Sequence, residues 1–369
     1  MNHQRYAATI LLSFAMFVLT SGLCLAQGKS YSVKSPDAKT ELRVGVSGKI
    51  TFSIFHNGQE VVLPTSISME LASGMRIGSS PVVKSTKPGS FRGTIKPVVP
   101  EKRKVIPDIY NELLIEFKGN YSVKVRAYDD GVAYRFVTDM AGTVKVRNEE
   151  LSLTLAPNDS IWFPDETSFL SHSERLYRLL AISDIADTQM CCLPAVIVKS
   201  NGLKVAVSES DLLDYAGLDL RGSGGGQSVL QSKFPPYPLE EQLYRDRTVK
   251  ITKTADYIAE TKGVREFPWR VFAIAEKDGD LIENDIIYRL GSPLRLKETS
   301  WIKPGKVAWD WWNANNLHGV SFKSGINTET YKHFIDFASR WKIEYVIFDE
   351  GWSKPSDLFE LNPDMNMEG

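Results

Sequence analysis

The sequence predicts a mainly β protein: a large antiparallel β-sandwich followed by the first strand, helix and strand of a (β/α)8 barrel. Three observations predict it. Short runs of apolar and polar residues alternate, with turn residues between them, as far as about residue 290. Beyond residue 328 the apolar period changes from two to 3.6 residues. Between the two regions, Gly291–Gly305 (GSPLRLKETSWIKPG) has glycine and proline at both ends and reads as a domain connection.

Taken in order, residues 1–26 read as a secretory signal peptide. Arg5 precedes the apolar run Ala7–Leu19, and small residues lead to Ala26, so cleavage would leave Gln27 first. The run is too short and too weakly flanked for a membrane span. A lipoprotein signal at Cys24 ranks second, because Leu23 is bulky where such a signal wants a small residue. The protein is therefore expected in the periplasm or outside the cell, with no transmembrane segment. Cys191 and Cys192 are adjacent, and neighbouring cysteines rarely meet disulfide geometry without strain, so the fold is not expected to rely on a disulfide.

Residues 27–290 read as the sandwich. Leu42, Val44 and Val46 alternate, as do Ile50, Phe52 and Ile54, and Asn57-Gly58 then separates the second run from Val61 and Val62 as a hairpin turn. Tyr121, Val123, Val125 and Ala127 alternate up to Asp129-Asp130-Gly131, and Val132, Tyr134 and Phe136 return. Lys204–Val207 and Arg270–Ile274 continue the pattern. The patch Gly222–Gly226 lacks the Lys-Ser/Thr of a phosphate-binding loop and reads as a flexible surface loop.

Residues 306–369 read as the start of a barrel. Val307, Ala308 and Trp309 form a strand of the kind buried on both faces, and a helix follows with Tyr331, Phe334, Ile335, Ala338 and Trp341 on one stripe. Asn327 or Thr328 caps it, and Tyr345–Phe348 forms a second, parallel strand. A complete barrel of this type takes about 250 residues. Lys306–Gly369 is accordingly expected to be an incomplete one, and the chain alone to be inactive.

Charge narrows the partners. With 44 basic and 45 acidic residues the net charge is −1, which gives no reason to expect nucleic acid or an anionic membrane. Seven of the eight tryptophans lie between Trp269 and Trp352, three of them at Trp309, Trp311 and Trp312. Tryptophan offers a flat apolar face to the C–H face of a sugar and an N–H to a hydroxyl, so this cluster beside Asp310, Asp349 and Glu350 suits carbohydrate. Core packing and helix capping are the plainer readings of the same residues. Strand alternation would put Trp309 and Trp311 on one face and Trp312 on the other. Carboxylates at the C-terminal ends of barrel strands nevertheless stand where this fold places binding groups.

The motifs WDWWN (Trp309–Asn313), GVSFKSGINTETYKHFIDFA (Gly319–Ala338) and DEGW (Asp349–Trp352) resemble glycoside hydrolase family 97. So do FPDETSF (Phe163–Phe169), SHSERLY (Ser171–Tyr177) and SESDLLDYAGLDL (Ser208–Leu220), which extends the resemblance over nearly all of the mature chain. It implies a galactose-mutarotase-like sandwich, a catalytic barrel, exo-acting α-glucosidase or α-galactosidase activity on oligosaccharides or polysaccharide-derived substrates, and an active-site calcium. It further implies that Trp311, Trp312, Asn313 and Glu350 line the sugar subsite, with Asp310 and Asp349 beside them, and that Glu174 is a calcium ligand. Glu166 is the second candidate ligand, and His172 a partner or a plain loop histidine. Ser321 and Ser324 depart from the family, where an acidic and an aromatic residue are usual. Asp349 and Glu350 are sequence neighbours whose side chains diverge, so they cannot flank one glycosidic bond as acid and partner. No catalytic residue is assigned, and retention or inversion is not readable. A monomer is expected. The alternative function is a non-catalytic carbohydrate-binding sandwich with a vestigial barrel tail.

Overall fold

The computed structural model describes residues 28–244 and 248–349. The leader with Cys24, and Glu350 and Trp352 at the other end, lie outside the described residues. The architecture is mainly β, in a sandwich of antiparallel strands. In Thr40–Val46, Leu42, Val44 and Val46 are buried while Arg43 is exposed, and Ile50–His56 pairs with it in antiparallel register. Asn57-Gly58 closes the next hairpin with φ of 50° and 78°. Both angles are left-handed, which Asn and Gly tolerate and which matches the twist of the flanking strands. Asp129-Asp130 likewise joins Tyr121–Tyr128 to the strand that follows.

That following strand, Gly131–Thr154, organises the molecule. Its first part pairs with Tyr121–Tyr128 and Trp269–Ala275. Its last part pairs with Gln59–Leu71 and Val229–Lys233. Ala259–Glu266 spans the middle and shifts register between Lys262 and Val264. A strand that bends in this way passes from one layer of a sandwich to the other. The core between the layers includes Phe52, Val125, Tyr134, Phe136, Ile161, Leu220 and Phe272, all essentially inaccessible.

Three expectations are corrected. The strand pattern does not reach residue 290: Ala275 ends the last strand, and Asp278–Glu283 (α1) and Ile286–Leu290 (α2) are short helices. Neither spans two turns, so neither shows a readable period. Ile286 and Leu290 of α2 are buried in a second cluster with Tyr128, Ala133, Trp269 and Val271. Gly222 is no part of a surface loop. It is buried in Asp219–Gly222, where a Cβ would run into the Ile185 carbonyl oxygen, and only Gly224–Gly226 makes a left-handed turn. The strand Val307–Trp309 is not buried on both faces, for Val307 is 44% exposed and only Ala308 is buried.

Val307–Trp309 pairs in parallel with Tyr345–Ile347, and Thr328–Trp341 (α3) lies between them in the chain. Asn327 is the N-cap, its side chain accepting from Thr330 N, and Lys342 ends the helix in a left-handed conformation. Tyr331, Phe334 and Ala338 are buried, whereas Ile335 and Trp341 of the same stripe are exposed. Pro238–Tyr244 and Thr248–Thr254 form a separate two-stranded arm. Among the described residues no helix is long and apolar enough to cross a membrane.

Candidate functional site

The WDWWN segment is a strand end that becomes a tight turn. The strand stops at Trp309, and Trp311–Asn313 is a single turn of 3-10 helix followed by Ala314 and Asn315 at left-handed φ. Asp310 builds that turn. It is 1% exposed; its Oδ1 accepts from Trp311 N at 2.9 Å and its Oδ2 from Asn315 Nδ2 at 3.2 Å. With both oxygens engaged, its role in the structure is capping.

The turn also overrides strand alternation. Trp309 does not pair with Trp311; its ring lies against Trp312, centroids 6.1 Å apart and tilted by 51°. Trp309 Nε1 donates to Asp349 Oδ1 at 3.3 Å, tying the two strand ends together. Trp311 and Trp312 project outward, 61% and 80% exposed. Asn313 donates its amide to Asn316 O at 2.9 Å, and its Oδ1 has no hydrogen bond among the described residues. Glu350 lies outside the described residues. Ser321 is exposed and Ser324 half-buried in the segment before α3.

The sandwich contributes the segment 166–177. Glu166 ends the strand Ser160–Glu166 and is 4% exposed. Arg175 Nε donates to its Oε2 at 3.0 Å, Arg175 Nη2 to Ser171 Oγ at 3.2 Å, and Ser173 N to the same Oγ at 3.0 Å. Arg175 is thus drawn onto Glu166 while remaining exposed itself, as are its neighbours His172 and Glu174. Glu166 Oε1 is buried without a partner. Close by in the fold, Asp219 is pushed up to about 7 by burial and by the carboxylates of Glu209 and Glu166.

Glu209 belongs to a buried ion network that single-sequence reading missed. Arg270, 1% exposed, donates to both oxygens of Glu149 at 2.7 and 2.8 Å and to Glu209 Oε2 at 2.6 Å. Tyr215 Oη adds a hydrogen bond to Glu149 Oε2 at 3.0 Å. Burial raises the Glu209 carboxyl above its ordinary value despite Arg270. The three charges come from segments up to 121 residues apart, so no local pattern announces them. Tyr215 also helps to line a cavity of about 1220 Å³, with Phe169, Leu170, Leu213, Tyr237 and Arg265. This groove adjoins the segment that carries Glu174, and Ser292 of the connection lies in its wall.

Calcium takes six to eight oxygen ligands. Among the described residues no group of three or more His, Cys, Asp or Glu side chains gathers as a metal site. Glu174 is exposed and offers one carboxylate; the described residues do not by themselves enclose the ion.

Comparison with known proteins gives two family matches along the chain. Residues 33–293 match the family described as Glycosyl-hydrolase 97 N-terminal, and residues 311–369 match Glycoside hydrolase 97. The chain is 33% identical over 373 residues to a retaining alpha-galactosidase of Bacteroides thetaiotaomicron, covering 97% of this chain and 56% of that protein. A probable retaining alpha-galactosidase of Streptomyces bingchenggensis is 23% identical, with 98% of this chain and 53% of that protein covered. The chain therefore spans about half the length of these relatives. A family 97 enzyme from Pseudoalteromonas sp. strain K8, solved with acarbose, superposes with a TM-score of 0.74 at 23% identity, over 87% of this chain and 47% of that one. A beta-arabinopyranosidase superposes at 0.72 with 20% identity, over 86% and 50%, and so shares the fold. The two family matches, in order and over most of the chain, together with the Bacteroides relative, place this chain in glycoside hydrolase family 97.

Proposed function

We propose that the chain serves an exported, exo-acting α-glycosidase that cleaves α-galactosides with retention of configuration. The single observation that carries this is the identity with the Bacteroides retaining alpha-galactosidase, which runs through both the sandwich and the WDWWN turn. α-Glucosides are the second substrate class. A non-catalytic sugar-binding sandwich is not favoured, because the match extends through residues 311–369 of the barrel-type segment.

Trp311 and Trp312 present open ring faces to the C–H face of a pyranose, and Asn313 Oδ1 stands beside them to accept from a hydroxyl. Asp349 holds Trp309, and so positions the ring on which Trp312 leans. Retaining hydrolysis needs two carboxyl groups about 5–5.5 Å apart, one as acid and one as nucleophile. Asp310 is consumed by its turn and Asp349 by Trp309, so that pair is not assigned among the described residues. Calcium would draw one ligand, Glu174, from this sandwich and would stabilise negative charge in the site. Oligosaccharides are the expected partner, in the periplasm or outside the cell.

The test joins this chain in frame to the later barrel strands of a family 97 α-galactosidase. The fused protein should hydrolyse an aryl α-galactoside faster than the matching α-glucoside, with α-galactose as the first product seen by proton NMR. Trp312→Ala should raise KM by about tenfold, the loss of about 1.4 kcal/mol of binding. A β-configured first product, or a preference for the glucoside, would overturn this assignment.

A further inference from the structure

A second cavity, of about 310 Å³, lies where three loop tips of the sandwich converge, and it is lined by His56, Asn57, Gln59, Asn201, Leu203 and Glu276. Its volume is near the lower end of the range for small-molecule pockets, ~300 Å³. Asn57 sits in the left-handed turn after Ile50–His56, Asn201 in the turn before Lys204–Ser210, and Glu276 directly after Trp269–Ala275. Local turn chemistry made these tips, yet their side chains point into one space.

The hydrogen bonds already made there leave a defined remainder. His56 is 8% exposed, held from behind by Thr40 Oγ1 at 3.0 Å, and its Nε2 lies 3.2 Å from Glu276 Oε1. Asn57 Nδ2 donates to the same oxygen at 3.1 Å. Asn201 Nδ2 donates to Gln59 Oε1 at 3.0 Å, while its own Oδ1 accepts from Leu203 N at 3.1 Å. Three polar groups are left over: the Gln59 amide N–H pair as donor, and Asn57 Oδ1 and Glu276 Oε2 as acceptors. They are preorganised, since each belongs to a side chain already fixed at its other atom. Preorganised groups lose less freedom on binding.

A donor flanked by two acceptors matches neighbouring hydroxyls, each of which both donates and accepts. An anion would meet the Glu276 carboxylate, and a hard cation would find one carboxylate where it needs six or more oxygens. We propose that this cavity binds a single pyranose unit of an α-linked saccharide through adjacent hydroxyls, as a site separate from the tryptophan turn. The proposal rests on the reading that the protein handles α-glycosides. No Trp, Tyr or Phe ring lines the cavity, so the affinity is weak, in the millimolar range. Such a site suits retention of a polymeric substrate that contacts the protein at more than one point.

The test reads binding and not hydrolysis, so its failure and the failure of the assigned activity are separable. Methyl α-galactopyranoside and methyl α-glucopyranoside are titrated into the full chain while the side-chain amide signals of Asn57, Gln59 and Asn201 are followed by NMR. Saturable shifts of all three are expected with at least one of the two sugars. Gln59→Ala and Glu276→Gln should each weaken them by about tenfold, and Trp312→Ala should leave them unchanged. Gln59 is exposed and the Glu276 side chain is 58% exposed, so neither substitution opens the core. The absence of saturation with both sugars, affinity in both cavity variants as high as in the unsubstituted chain, or larger shifts with calcium chloride than with sugar would overturn the proposal.

Discussion

Arg175 separates the two glutamates that the sequence ranks as first and second candidate ligands, Glu174 and Glu166. Its guanidinium closes on Glu166, whose side chain is 2% exposed, and leaves Glu174 facing solvent. Which of two nearby carboxylates is ion-paired depends on which way the arginine turns, and that follows from the Ser171–Ser173 turn and not from spacing. The tryptophans teach the same lesson. Alternation assumes that a strand continues, but Asp310 caps a turn at that point and places Trp312, not Trp311, against Trp309. Asp219 permits a test at this scale. Its carboxyl is raised from 3.8 to about 7, so between those pH values the folded chain keeps a proton that the unfolded chain has lost. Stability from this group therefore falls as pH rises through that window, and the cost is fully present above about 7. Asp219→Asn removes it. The variant should melt above the parent at pH 8 and level with it near pH 4. The check is paired calorimetry, and an offset that does not change with pH would contradict it.

At the scale of elements, what was legible was local. Asn57-Gly58 and Asp129–Gly131 announce their hairpins because turn geometry is written in the turn residues themselves. Asn327 and the Tyr331, Phe334 and Ala338 stripe announce α3 for the same reason. The strand Gly131–Thr154 was legible only in its first part, since its passage between layers depends on partners more than a hundred residues away, such as Trp269–Ala275. α1 and α2 were too short to carry a period. The strand–helix–strand unit is real but thinly covered. Val307, Tyr345 and Ile347 are each more than 40% exposed, as is Trp341 on α3, and among the described residues its own buried cluster is Ala308, Phe334 and Ala338, with Tyr331 buried beside it. Few buried apolar contacts mean low local stability. In hydrogen exchange, amides of Val307–Trp309 and Tyr345–Ile347 should exchange at least about tenfold faster than those of Thr40–Val46, a difference of about 1.4 kcal/mol in opening free energy. Equal protection of both regions would show that the unit has cover not accounted for above.

At the scale of the whole molecule, the sandwich carries its own core, and α2 completes it by burying Ile286 and Leu290. Arg103 Nε and Lys102 Nζ hold Asp285 at 3.0 and 3.1 Å, which fixes the entry to α2 from another part of the sandwich. A protein ending at Leu290 should therefore unfold in one cooperative transition, with a Tm within about 3 °C of the full chain. Broad or multiple transitions in denaturant would mean that the later segment is integral to the sandwich. Fold class was legible in the sequence because alternation and helical period are repeated signals. The groove and the Glu149–Arg270–Glu209 network were not, because each is assembled from distant segments. The central claim is that the described residues offer a candidate sugar-facing surface at Trp311 and Trp312, without an acid and nucleophile pair assigned among them. The most direct measurement is release of 4-nitrophenol from its α-galactoside by the purified 369-residue chain. The account predicts a rate equal to that of the buffer blank, with and without calcium. Turnover above the blank that survives repurification and is lost in Glu350→Gln would contradict it.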